Sequence, residues 1–373
     1  MKKLIYLTAA VALLFAACTK NEVPGGQEIA FQTASYATKA GINGTQFPTS
    51  ESFGVYAWTE GADPYFMDNE VVSYRPDEKL WKTATTYFWP KTQTVDFFCF
   101  YPSKMAEIQV EPRKVTYNGY DVEAAATKES VLQDVMYADK AVAFADYPEK
   151  VPGSVSGYTG VPAIFRHALS KIQVDAVLTY NHKEEADGTV TDWTATINSA
   201  TLSGFYKAGS CELTLDPQVE KGLVGWLRPE NNVWSNDGTV IAEKNLVSDA
   251  TPLSVSEPVN VVPEMFVLPQ LLAAGQQKIV FNVTIKTTRN GVEVLSETFD
   301  VAADFLVDKV TSWQMNHFIT YHVSVKPTRS SGQGDDPDKP VDPSDPDLKD
   351  AVIFFDPAVN GWDGVSVSTT INL

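Results

Sequence analysis

The chain is poor in the residues that most enzymes and nucleic-acid binders depend on. Lysine and arginine number 29 against 47 aspartates and glutamates, a formal net charge of −18, and no basic run breaks that balance. A polyanionic partner is excluded, because binding nucleic acid requires lysine and arginine to neutralise phosphates. Cysteine occurs three times, with no CxxC or CxxH spacing, so no zinc site can be read. The four histidines, His167, His182, His317 and His322, form no HExxH pair and have no cysteine beside them. His167 reads as a packed structural residue, since a base needs an oriented nucleophile that nothing nearby supplies. No GxSxG elbow and no glycine-rich phosphate loop is present. Carboxylates are so plentiful that any pair of them is unspecific as a glycosidase signal. The expectation is a protein that is not an enzyme, with no catalytic residue, cofactor or metal site.

What is present begins at the amino end. Lys2 and Lys3 precede an apolar run from Leu4 to Phe15, followed by the small residues Ala16 and Ala17 and then Cys18. A membrane-spanning helix needs roughly 20 apolar residues. This run is shorter and has the charged, apolar and small-residue parts of an export signal, so residues 1–17 are read as a signal peptide and set aside from the fold. The ending Leu14-Phe15-Ala16-Ala17-Cys18 resembles a bacterial lipobox, which implies that Cys18 carries lipid and anchors the mature chain to a membrane.

The rest is dominated by period-two alternation, in which successive side chains face opposite sides of a half-buried strand. Ile29/Phe31, Phe53/Val55/Ala57, Ile172/Val174/Ala176/Leu178 and Ile279/Phe281/Val283/Ile285 follow it, as do Val292/Val294 and 318–325. Asn290-Gly291 between two such runs predicts a hairpin, because a type I′ turn needs positive φ at both central residues. Helical patterning is scarce; 123–137 is the best candidate and reads equally as a loop. Many short strands with few helices indicate an all-β chain of sandwich or barrel type. The 355 residues after Cys18 suffice for two domains. Cys99, in the dense strand Val95-Asp96-Phe97-Phe98-Cys99-Phe100-Tyr101, and Cys211, in the other half, are expected as buried free thiols.

Composition changes at Pro327. Residues 327–350 are rich in proline and aspartate and nearly devoid of apolar side chains, so they are expected to form an extended tether. The spaced aspartates lack the glycine and bidentate glutamate of a calcium loop. Beyond the tether, residues 351–373 become strand-like again, with Val352, Phe354, Val365, Val367 and Ile371 as the alternating apolar set. A terminal segment this apolar must pair with its own body or with another molecule.

Several motifs in a fixed order carry a resemblance. Ile29-Ala30-Phe31 is followed by Ala37-Thr38-Lys39-Ala40, Phe53-Gly54-Val55-Tyr56-Ala57-Trp58, Tyr87-Phe88-Trp89-Pro90 and the dense strand at 95–101. Then come Phe165-Arg166-His167-Ala168-Leu169-Ser170-Lys171-Ile172, Phe266-Val267-Leu268-Pro269-Gln270, and Trp313-Gln314-Met315-Asn316-His317-Phe318. Together they resemble the Bacteroidetes fimbrillin-like lipoproteins, which include the subunits of type V pili. That resemblance implies two consecutive transthyretin-like β-sandwich domains, 18–160 and 161–326, with the boundary near 157–162.

It also implies a mode of assembly. The subunit is exported to the outer membrane as a lipoprotein, and a trypsin-like protease removes its first strand. The vacated groove then receives a donor strand from the carboxy-terminal end of another pilus subunit. Here the removable strand would be 28–37, with cleavage between Lys39 and Ala40, where the family's better-known members carry arginine. The donor would be 351–373 on its tether, adding a strand in trans, although the same segment is also suited to pairing within its own chain. A host or bacterial surface receptor would complete the partners. An alternative is a monomeric surface glycan-binding lipoprotein, in which Trp58, Trp81, Trp89, Trp193, Trp226 and Trp234 offer faces for stacking on sugars.

Overall fold

Almost every alternating stretch becomes a strand. The computed structural model describes residues 28–35, 47–59, 65–90, 93–126, 134–144, 160–218, 222–245, 250–307, 310–329, 351–361 and 366–367. In the first half, β1 (Phe31–Ser35), β2 (Ser52–Thr59), β3 (Met67–Arg75), β4 (Leu80–Thr83) and β5 (Val95–Tyr101) precede β6 (Ile108–Glu111) and β7 (Lys114–Asp121). A short helix, α1 (Val122–Ala126), then leads towards β8 (Met136–Ala138), β9 (Lys140–Phe144) and β10 (Val161–His167). The second half opens with β11 (Ser170–Leu178), β12 (His182–Glu184), β13 (Val190–Ser203) and β14 (Ala208–Leu215). Short pieces follow: β15 (Gly222–Val224), β16 (Trp226–Leu227), β17 (Ser235–Asn236), β18 (Lys244–Asn245) and β19 (Thr251–Pro252). The described strands end with β20 (Val259–Val267), β21 (Gln270–Leu271), β22 (Lys278–Arg289), β23 (Val292–Asp304), β24 (Ser312–Trp313), β25 (His317–Arg329), β26 (Ala351–Gly361) and β27 (Ser366–Val367).

The helical reading of 123–137 holds at one end and fails at the other: among the described residues of that stretch Val122–Ala126 is helical, whereas Met136 and Tyr137 lie in β8 and are fully buried. Met136 belongs to a buried three-residue strand, and a short apolar run cannot be told from buried helix by periodicity alone.

The first sheet closes on itself. Its path β5-β2-β3-β4-β1-β10-β8 returns to β5 through Phe100↔Tyr137 and Tyr101↔Met136. Inside lies a core rich in aromatics: Phe31, Phe47, Phe53, Trp81, Phe97 and Phe165. Strand β5 is apolar on both faces because both are covered: Phe97 and Cys99 face this core, and Phe98 and Phe100 face the next one. That next core is roofed by a second sheet, β16-β14-β7-β6. Its strand β14 comes from the second half of the chain yet pairs antiparallel with β7, from Ala208↔Asp121 to Thr214↔Lys114. β15 likewise pairs with β9.

A third core fills a sandwich of the sheets β20-β11-β25-β26 and β12-β13-β22-β23. Alternation here matches the sequence reading: Ile172, Val174, Ala176 and Leu178 of β11 and Ile279, Phe281 and Val283 of β22 all point inward. The Asn290-Gly291 turn has φ of 47° and 78° and joins β22 to β23 from Lys278↔Asp304 to Arg289↔Val292, the hairpin expected.

The domain boundary drawn near residue 160 meets two facts. β10, which begins at Val161, pairs with β1 and β8 of the first sheet, and 208–227 returns to roof the first half. Chain order and spatial order therefore part company at both places. Cys99 and Cys211 are buried free thiols in different cores, as expected. Burial pushes both well above the ordinary thiol value.

Candidate assembly site

The alternation of Ile29 and Phe31 places both side chains inside the ring, at 2% and 1% exposure. Phe31 meets Phe53 and Phe97 edge to face, with ring centroids 6.0 and 5.8 Å away, an arrangement favoured by the ring quadrupole. Burying these two side chains is worth about 3–6 kcal/mol together.

The ladder around β1 is lopsided. On one side it runs parallel to β10 over five residue pairs, from Phe31↔Val161 to Ser35↔Phe165. On the other it meets β4 at the single pair Phe31↔Trp81, supplemented by the bridge Glu28↔Phe88 and the hydrogen bond from Ile29 N–H to Tyr87 O at 2.8 Å. The ring is therefore thinnest beside β1. Lys82 ties the strand's start with an ion pair to Glu28 at 2.6 Å and also contacts Glu78. Partial burial opposes its charge, yet the two carboxylates hold the Lys82 ammonium above its usual value.

The floor of the berth is Gly160. A Cβ there would lie 2.5 Å from Ala30 O, so the backbones approach more closely than any side chain permits. Val161 N–H donates to the same carbonyl at 2.8 Å. Phe47 closes the aromatic box, its ring 4.9 Å from Phe165 and 5.5 Å from Trp81. Neither Gly160 nor Phe47 was singled out from sequence. Each is a lone residue in loop-like surroundings, with no period to mark it.

The midpoint block 165–172 joins everything. Phe165 sits in the first core, Ala168 and Leu169 in the second, and Ile172 in the third. His167 is buried with Nδ1 2.5 Å from Asp134 Oδ2, and its backbone N–H donates to Asn316 Oδ1 at 3.3 Å, a packed structural role. Lys171 is wholly buried, its Nζ 3.1 Å from Glu264 and over the Phe318 ring. Burial pushes its ammonium below the ordinary lysine value, with Glu264 resisting.

From this block β11 runs parallel to β25, and β25 pairs antiparallel with β26 from His317↔Gly361 to Arg329↔Ala351. Position 352 thereby lies opposite Lys326 and position 354 opposite Ser324. Val367 lies in β27, opposite Val359. Cys18, Lys39, Ala40, Val365 and Ile371 lie outside the described residues.

The glycan-stacking alternative loses its platform. Trp58, Trp81, Trp89, Trp193, Trp226 and Trp234 are all at most 8% exposed. Trp226 and Trp234 donate their indole N–H groups to Ala138 O and Ala168 O, each at 2.9 Å. They are core residues, as the size of the ring favours. Among the described residues no His/Cys/Asp/Glu group could hold a metal ion, and no helix is long and apolar enough to cross a membrane.

The sequence profile described as fimbrillin-like matches residues 38–335. No curated protein matches the chain. Among solved structures it is similar to a fimbrial protein from Bacteroides vulgatus ATCC 8482, with 15% identity, TM-score 0.48 and coverage of 90% of this chain and 99% of that one. It is also similar to a candidate cell adhesion protein from Bacteroides uniformis ATCC 8492, with 14% identity, TM-score 0.46 and coverage of 90% and 99%. A candidate cell adhesion protein from Bacteroides eggerthii DSM 20697 gives 14% identity, TM-score 0.45 and coverage of 92% and 98%.

Proposed function

The chain belongs to the fimbrillin-like family, and from that premise we propose that it assembles into a surface fibre by exchanging one strand between neighbours. It is a pilus or adhesion subunit of the cell surface and a structural protein rather than an enzyme. The finer reading has three steps. The precursor is exported and lipidated at Cys18 on the outer membrane; a trypsin-like protease cuts between Lys39 and Ala40; and 351–373 of another subunit takes the place of the first strand.

The observation that carries the reading is the lopsided berth of β1. The strand contributes two fully buried side chains to the first core, yet one flank of it holds a single ladder pair. A strand so placed leaves an apolar groove when removed, and a groove with open backbone groups on both walls invites strand addition. Roughly 20 residues of proline- and aspartate-rich chain between β25 and β26 give the donor reach. In the arrangement described here β26 rests on its own β25, so donation requires it to leave that edge.

The test compares the full-length chain with one ending at Lys326, each treated with trypsin and followed by gel ladder and electron microscopy. The full-length chain should form oligomers and the shortened one should remain monomeric. Equal ladders from both would remove strand donation by 351–373. Mass spectrometry of the amino terminus on intact cells checks the processing, since an assembled subunit beginning at Ala40 is the expected species.

A further inference from the structure

The berth of β1 is lined so as to accept an aliphatic side chain and, two residues on, an aromatic ring. Ile29 and Phe31 supply them, the ring wedged between Phe53 and Phe97, while Ala30 between them belongs to none of the three cores. The sequence contains the pattern Ile-x-Phe three times: Ile29-Ala30-Phe31, Ile279-Val280-Phe281 and Ile353-Phe354-Phe355. The second is locked inside β22, paired along one side to β13 and along the other to β23. The third lies in β26, which among the described residues pairs with β25 and, at Val359 and Asn360, with the two-residue β27.

The register of β26 separates its two faces. Positions 353 and 355 lie opposite Val325 and Val323, which are fully buried in the third core, whereas positions 352 and 354 lie opposite the half-exposed Lys326 and Ser324. Directly opposed residues of an antiparallel pair share a sheet face. The positions of β26 opposite Val325 and Val323 thus carry the same residue pair, isoleucine and phenylalanine, that β1 presents to the ring.

We propose that β26 of a second copy of this chain enters the berth in one register, Ile353 at the site of Ile29 and Phe355 at the site of Phe31, running parallel to β10 as β1 does. This rests on the strand-exchange reading above and adds the residues that fix its alignment. A slip by one residue would present Val352 and Phe354, the set singled out from sequence, because strand faces alternate with period two. The slot takes one ring in either alignment, and the aliphatic site decides between them: Ile353 and Phe355 reproduce the pair Ile29 and Phe31, whereas the slip puts the smaller Val352 where an isoleucine sat. Storage on β25 and donation are mutually exclusive, since a strand paired with its own β25 cannot lie beside a neighbour's β10.

The test uses trypsin-treated full-length chains carrying Phe355→Ala or Phe354→Ala, with the chain ending at Lys326 as reference. Circular dichroism melting confirms that each variant is folded before assembly is scored. Phe355→Ala should slow oligomer formation about a hundredfold, the consequence of emptying a buried aromatic site, and Phe354→Ala should remain within about threefold of the parent on the same scale. Equal losses in the two, or a loss in Phe354→Ala alone, would overturn the register while leaving strand exchange in place. Assembly by the chain ending at Lys326 would overturn strand exchange and the register together.

Discussion

The two halves of the molecule build their buried cores by opposite means. The second sandwich is built from long neighbouring strands: β22 pairs with β13 on one side and with β23 on the other along nearly its whole length. The first is assembled from distant pieces, with β1 beside β10, β14 beside β7 and β15 beside β9. Its aromatic core compensates for short ladders with ring contacts, and Phe53 alone meets Phe31, Phe47, Trp81 and Phe165. Local pairing gives a body with no removable part. Distant pairing gives one in which a single strand is attached mainly along one flank, and that is the strand the proposed exchange would replace.

Separating the halves at the boundary suggested by chain order tests this contrast most severely. Residues 18–160 alone lack β10, β14, β15 and β16, and with them the inner wall and the roof of two cores. The fragment should show no cooperative melting by circular dichroism, while residues 18–329 should melt cooperatively. A cooperative transition from the short fragment would mean that the returning strands are ornamental.

A smaller break is Phe53→Ala, which empties the centre of the aromatic box. It should cost about 3–5 kcal/mol in denaturant unfolding, and amide exchange should quicken in β1 and β2 before β22 and β23. If the two bodies loosen together, the first is not the softer of the pair.

The mildest change is Gly291→Ala in the hairpin turn. Its φ of 78° strains any residue with a Cβ, so the cost should be about 1 kcal/mol. Exchange should rise at the ends of β22 and β23 and leave the first body untouched. An effect reaching β1 would show that the halves are coupled more tightly than their separate cores imply.

Much of the second sandwich was legible in the sequence because its strands are long, alternate cleanly and are joined by a turn whose chemistry is explicit. The ring was legible only in parts. Ile29 and Phe31 declared a strand, but nothing in them declared a partner 130 residues away at Val161. The pairing of β14 with β7 left no periodic trace, and the boundary near 157–162 rested on resemblance alone. The stretch 123–137 was the best helical candidate, whereas burial in two cores makes Met136 and Tyr137 successive residues of a strand. The tryptophans left two readings open for a related reason: residue type alone does not distinguish a platform from a core, and burial decides for the core. At the candidate site, the strand at Ile29 and Phe31 could be named, while the tight approach at Gly160 and the ring of Phe47 depend on three-dimensional neighbours.

The block at 165–172 has a consequence for how the chain tolerates change. Two residues, Ala168 and Leu169, separate β10 from β11, and both are themselves buried. Inserting one amino acid here would leave no loop to absorb it. Either β10 or β11 would turn over, exchanging its inward set for its outward one, so that a length error of one unit becomes an inversion of a whole wall. Substitutions in this stretch trade volume, but a change of length trades inside for outside.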